Sequence, residues 1–170
     1  MASLNAIAPY DWAGFFRKKL DSTSANAPVR GIENAGWKVV YDGEPSKPMG
    51  RRGNPGDIYS IGLQLAADGT VSDAIVGSPA FEAGISSGMK VVGVNGRVYT
   101  HDLPEDAIRQ AKDGASKGAS QPITLLVVVD DYYQASTIHY NGGDRYPHLA
   151  RGDGKDDYLD AIIKARAGGQ

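Results

Sequence analysis

The sequence predicts an α+β fold: a partly open antiparallel β-barrel or sandwich of about five or six strands, two core helices, and helical extensions at both ends. Three observations predict it. Asp68-Gly69 and Asn95-Gly96, two strong hairpin dipeptides, each sit between apolar stretches. Ser78-Pro79 and Pro104 mark two helix starts, where a missing proline N–H costs nothing. The run Ile123 to Val129 is apolar at nearly every position, as expected of a central strand covered on both faces.

Composition narrows the function classes. The 170 residues suffice for one domain with extensions. The net charge is −2, with both signs scattered along the chain, so neither nucleic acid nor an anionic membrane is an expected partner. There are no cysteines, which excludes disulfides, thiolate metal sites and a cysteine nucleophile. Met1 to Ala8 lacks the basic start of a secretion leader, and Leu125 to Val129 is far too short to span a bilayer. The compartment is left open.

The elements follow in order. Trp12, Phe15, Phe16 and Leu20 recur at helical spacing behind Asp11, a plausible N-cap. Val29 to Ala35 predicts a short helix stopped by Gly36, and Trp37 to Tyr41 a strand. Asp42 to Gly56 holds Pro45, Pro48, Pro55, Gly43, Gly50 and Gly53 and predicts a loop, with Arg51 and Arg52 as solvated charges. Ile58 to Leu65 reads as a strand that turns at Asp68-Gly69 into Thr70 to Val76. A short helix opens at Ser78-Pro79 and ends at Gly84. Met89 to Val94 and Arg97 to Tyr99 flank the Asn95-Gly96 turn. Pro104 to Lys112 predicts the second core helix, with Leu103, Ala107, Ile108 and Ala111 on one face. Tyr132 to Tyr140 is a further strand, Asn141-Gly142-Gly143 a turn, and Asp156 to Lys164 a final helix with acids at its start. Residues 1–35 thus form an N-terminal helical extension, 36–130 the β-rich domain, and 131–170 a C-terminal extension packed on its core.

Within 58–129 four blocks stand in order: Ser60-Ile61-Gly62-Leu63, Gly77-Ser78-Pro79-Ala80, Ala83-Gly84-Ile85 with Gly88-Met89-Lys90-Val91-Val92, and Val94-Asn95-Gly96. This stretch resembles a PDZ domain. The resemblance implies a module that holds an extended peptide or a peptide C-terminus by adding it as a strand to a sheet edge, with backbone N–H groups gathered round the terminal carboxylate. The expected peptide-binding residues are Ser60, Ile61, Gly62 and Leu63, facing Ala107, Ile108 and Ala111 across the groove. Gly62 lets the loop curl, Ile61 and Leu63 wall an apolar pocket, and the amides around Gly62 are expected to be free and aimed outward beside an unpaired edge. The competing reading of Ile61-Gly62-Leu63 is a strand carrying a glycine bulge. A groove blocked by the protein's own segment is a further expectation, with Tyr132 to Tyr140 or the N-terminal segment as the occupant.

The flanks carry a second resemblance. Asp11-Trp12-Ala13-Gly14-Phe15-Phe16, Ala35-Gly36-Trp37, Tyr140-Asn141-Gly142-Gly143-Asp144-Arg145-Tyr146-Pro147-His148-Leu149, Asp157-Tyr158-Leu159 and Ile162-Ile163 resemble the C-terminal region of the glycyl aminopeptidase family. Those are zinc metallopeptidases whose thermolysin-like catalytic domain precedes a PDZ domain. The resemblance implies a parent peptidase domain as a partner. The H-E-x-x-H motif on which that chemistry depends is absent from this sequence, so no peptidase activity carries over.

No catalytic residue, metal ligand or cofactor is expected here. His101, His139 and His148 share no i, i+4 spacing, and His148 after Pro147 reads as a structural contact or a contact to the peptidase domain. Asp153, Asp156, Asp157 and Asp160 do not fit a calcium loop and suit a helix N-terminus. Ser60 and Ser78 lie outside any G-x-S-x-G, and Ser78 reads as an N-cap. The stripe Trp12, Phe15, Phe16 reads as core or interface packing.

Overall fold

Local signals set the helices outside the β-rich part. Asp11 caps α2 (Trp12–Leu20), its carboxylate accepting from the Gly14 N–H at 2.9 Å. The computed structural model describes residues 2–23, 29–45, 56–152 and 157–164. By contacts the chain divides into one unit of residues 1–36 with 154–170, and a second of residues 37–153.

In the first unit a helix that the sequence pattern does not announce, α1 (Ala2–Ile7), precedes α2. Tyr10, Trp12, Phe15 and Phe16 form a chain of rings with centroids 5.2–6.3 Å apart. No residue of α2 is buried, and Phe15 and Phe16 are 38% and 41% exposed, so the rings pack on one another rather than into a core. Helix α3 (Arg30–Asn34) ends before Gly36, which sits at φ +84°. The last helix, α7 (Tyr158–Ile163), is capped by Asp157 accepting from the Asp160 N–H at 2.8 Å. Asp153 and Asp156, like Arg51 and Arg52 of the proline-rich loop, lie outside the described residues.

Among its described residues the second unit has three antiparallel sheets, which do not close into a barrel. Strand β1 (Trp37–Asp42) pairs along its whole length with β8 (Tyr146–Arg151). Strand β2 (Leu63–Leu65) pairs with β3 (Val71–Ala74). Strands β4 (Lys90–Val94), β5 (Arg97–Val98), β6 (Ile123–Val129) and β7 (Tyr132–Ile138) form a sheet in the order β5-β4-β6-β7. The Asn95-Gly96 turn joins β4 to β5 with both residues at positive φ, +49° and +77°, the geometry that suits a twisted two-residue hairpin. Helix α5 (Pro79–Glu82) starts where Ser78 Oγ accepts from the Phe81 N–H. Helix α6 (Leu103–Ser116) lays Leu103, Ala107, Ile108 and Ala111 into one core with Ile61, Leu63, Val91, Ile123, Leu125 and Val127.

Two expectations need correction, and one strand is unexpected. Residues 58–60 are not strand: helix α4 (Gly56–Ser60) occupies that stretch, and the chain becomes extended only at Leu63. The apolar run of β6 is not covered on both faces. Ile123, Leu125 and Val127 are buried, whereas Leu126 is 40% exposed, which is the one-sided burial of an antiparallel sheet. Strand β8 is hidden in the sequence because Pro147 within Tyr146–Arg151 argues against a strand; as a member of a two-stranded ribbon it has an open edge that tolerates the missing N–H.

Candidate functional site

The seven residues expected to bind peptide are brought together, but inside the fold. Ile61, Leu63 and Ile108 are each 0% exposed, Ala107 and Ala111 each 3%, and Ser60 5%. They are core side chains rather than walls of an open pocket.

The loop before β2 has a specific backbone circuit. Helix α4 ends with both the Ile61 and the Gly62 N–H donating to the Asp57 carbonyl, at 2.9 and 3.0 Å. Gly62 takes φ +76°, the left-handed turn that closes a helix and re-aims the chain. The Ile61 carbonyl then accepts from the Ala80 N–H at 3.0 Å, and the Gly62 carbonyl from the Ile75 N–H at 2.9 Å. The expectation of free amides around Gly62 therefore fails at two positions: the end of α4 engages them.

Leu63 differs. The Ile75-to-Gly62 bond crosses beside the Leu63↔Ala74 pair, which makes that pair the non-hydrogen-bonded kind. In such a pair both main-chain groups of each residue point away from the partner strand. The Leu63 N–H and C=O therefore face the side of β2 opposite β3, where no strand pairs with β2 among the described residues. Exposed apolar side chains lie close to the loop on its β3–α5 flank: Ile75, Val76 and Phe81 are 45%, 79% and 41% exposed. Sequence reasoning missed these three, although Ile75-Val76 directly precedes the Gly77-Ser78-Pro79 block.

The other flank is covered by the chain itself. The Arg145 N–H donates to Ser60 Oγ at 3.0 Å, and the Tyr146 hydroxyl donates to Glu105 at 2.9 Å. Arg109 reaches Glu105 at 3.2 Å and Asp144 at 3.7 Å, and it also pairs with Asp106. Asp57 is 6% exposed, and its Oδ1 and that of Asp144 are buried with no hydrogen-bond partner. Burial pushes the Asp57 carboxyl up to about 7, aided by the charges of Glu105 and Asp144 and opposed by Arg109. Burial also raises Asp144, with Glu105 adding to the effect and Arg109 and Lys112 opposing it. The Tyr146 phenol is raised by burial and by its bond to Glu105.

Among the described residues no group of three His, Cys, Asp or Glu side chains is placed to hold a metal ion. His148 Nε2 lies 2.9 Å from Asp42 Oδ1 and 2.7 Å from the Glu44 carbonyl, a contact within the β1–β8 ribbon. A cleft of about 580 Å³ lies beside α6, lined by Asn95, Gly96, Gln110, Ala111, Pro122 and Thr124. It shares only Ala111 with the expected site. No helix among the described residues is long and apolar enough to cross a membrane.

Comparison with known proteins places the fold. No family model matches the chain, and no curated protein matches it in sequence. The crystal structure of an aminopeptidase N family protein from Idiomarina loihiensis is similar over 96% of this chain at 14% identity, with a TM-score of 0.53. The chain spans 28% of that protein. The PDZ domain of HtrA3, solved bound to a phage-derived ligand (FGRWV), matches over 70% of this chain and 95% of its own at 16% identity, with a TM-score of 0.31. At these identities the likeness to the first concerns the fold alone.

Proposed function

We propose that residues 37–153 form a PDZ-like, non-catalytic module that receives an extended peptide along the open side of β2, and that it serves a larger glycyl aminopeptidase-like protein. The observation that carries this reading is the orientation of Leu63, whose main-chain donor and acceptor face an edge with no strand beside it among the described residues. The order of blocks from Ser60-Ile61-Gly62-Leu63 to Val94-Asn95-Gly96 supports it, as does the shared fold with part of an aminopeptidase N family protein. The peptidase domain of that larger protein is the second proposed partner.

The engaged amides change the expected ligand. With the Ile61 and Gly62 N–H groups closing α4, a terminal carboxylate finds few donors there, so recognition rests on the ladder rather than on a chain end. Peptides with an amidated C-terminus are expected to bind as well as their free acids, within about threefold, and weakly, because a short edge addition must offset the ordering of the peptide. A library titration followed by amide shifts tests this. Perturbation centred on Leu63 to Leu65 supports the reading, silence there with every peptide overturns it, and a tenfold or larger preference for free acids overturns the carboxylate-independent part.

A second reading has its own observation. The Arg145-to-Ser60 bond places the chain's own Gly143–Arg145 turn against the loop, which suits a scaffold domain whose groove is self-occupied. The occupant then differs from Tyr132 to Tyr140, since β7 pairs with β6.

A further inference from the structure

We propose that the Gly143–Arg145 turn is a proton-operated latch on the Ser60–Leu63 loop: a proton held among Asp57, Glu105 and Asp144 keeps the turn seated, and its loss lifts the turn and uncovers the loop's flank. Its purpose rests on the peptide-edge reading above; its existence does not.

The geometry supplies each part. Three carboxylates converge from three places: Asp57 on α4, Glu105 on α6 and Asp144 on the turn. One guanidinium, Arg109, serves Glu105 and Asp144 and is shared with Asp106. The groups facing Asp57 are Glu105 and Arg109 from α6, Asp144 from the turn, Tyr146 from β8 and Tyr99 from the segment after β5. Lys112 adds a charge near Asp144. The Oδ1 atoms of Asp57 and Asp144 are buried and accept no hydrogen bond, so once both are ionised their desolvation is offset only in part, by the charges of Arg109 and Lys112. A proton on either removes that penalty and one repulsion.

Asp144 is the one carboxylate of the three that is not fixed on a helix, so the turn is the part that yields. Gly143 stands at φ +77°, and a methyl there would strike the Lys112 side chain, so the turn is built around a residue able to pivot. When it lifts, the bond from the Arg145 N–H to Ser60 Oγ breaks, and the side of the loop next to Leu63 opens.

Hydrogen exchange of the whole chain without any peptide tests the latch. Between about pH 5.5 and about pH 8.5, the protection factor of the Arg145 amide, corrected for intrinsic exchange, is expected to fall about tenfold while staying well below that of Leu125, which reports only global opening. The Asp57 carboxyl carbon is expected to titrate with its midpoint near neutral pH. In Asp57→Asn the fall at Arg145 is expected to shrink to less than about threefold, with Asp144 supplying what remains. A constant Arg145 protection in the unmodified chain overturns the latch, as does an undiminished fall in Asp57→Asn, or an Asp57 midpoint below about pH 5. Should the variant not fold, the first and last of these still decide. Peptide titration at the higher pH separates the two ideas: a latch that opens beside an edge that binds nothing supports the latch and overturns the peptide reading.

Discussion

Gly62→Ala is expected to destabilise the chain by about 3 kcal/mol, seen as a lower urea midpoint at unchanged slope. Two separate costs add. An alanine held at the φ of +76° found at Gly62 lies in the left-handed region, which costs an L-residue about 1–2 kcal/mol. Its methyl would also collide with Cβ and Oγ of Ser78, and overpacking of that kind costs about 1–3 kcal/mol. Ser78 cannot simply move aside, because its hydroxyl caps α5. The two costs can be told apart. Ser78→Gly alone removes the cap's side chain and costs only a few tenths of a kcal/mol, since glycine is a tolerable N-cap. In the double variant the collision is gone, so the pair is expected to recover about 1–2 kcal/mol relative to the sum of the single changes. A Gly62→Ala chain within about 0.5 kcal/mol of the parent would show that the loop does not hold the turn described above.

Much of the fold was legible because its signals are local. Asn95-Gly96 and Asp68-Gly69 specify turns through their own φ preferences, and Ser78-Pro79 specifies a helix start. The misses share one cause: each is decided by something distant in sequence. Ile58-Tyr59-Ser60 has β-prone residues, yet it forms a helix whose Asp57 carbonyl collects two N–H groups, with Ser60 held by a residue 85 positions away. Strand β8 exists because Trp37 to Asp42 lies ready to pair with it across about 100 residues, against the discouragement of Pro147.

The site was legible as an address but not as a surface. The sequence singled out Ser60 to Leu63 and the apolar face of α6, and the structure does bring these together. What periodicity could not tell is which atoms are left over after folding. Side chains at Ile61, Leu63 and Ile108 satisfy the core first, and the Ile61 and Gly62 amides close α4, so within Ser60–Leu63 it is the Leu63 main chain that faces the open side of β2. The acid cluster was invisible for a related reason: Asp57, Glu105 and Asp144 are far apart in sequence and carry no motif spacing. Asp144 stands out only as part of a family string.

That cluster yields the second large effect. Asp57→Asn is expected to stabilise the chain, and the gain should grow with pH. In the folded state the Asp57 carboxyl holds its proton up to about 7, against an ordinary value of 3.8, so folded protein binds more protons than unfolded protein between those limits. Stability from this group is therefore complete at pH values below the unfolded pKa, declines as pH rises through the window, and levels off above the folded pKa. A proton retained across that whole interval is worth about 4 kcal/mol. Asparagine has the shape of the protonated acid and cannot ionise, so it escapes the decline. The advantage over the parent is expected to be about 1 kcal/mol near pH 4.5 and to rise toward about 4 kcal/mol near pH 8.5, with relaxation and water entry acting to reduce the larger figure. Asp144 is raised by the same burial and the same neighbour, so part of the parent's decline remains in the variant. Urea unfolding at the two pH values measures both. An advantage that is equal at the two pH values, or a variant weaker than the parent at both, would mean that Asp57 ionises without penalty, and that its carboxylate is solvated or paired rather than sealed against Glu105 and Asp144.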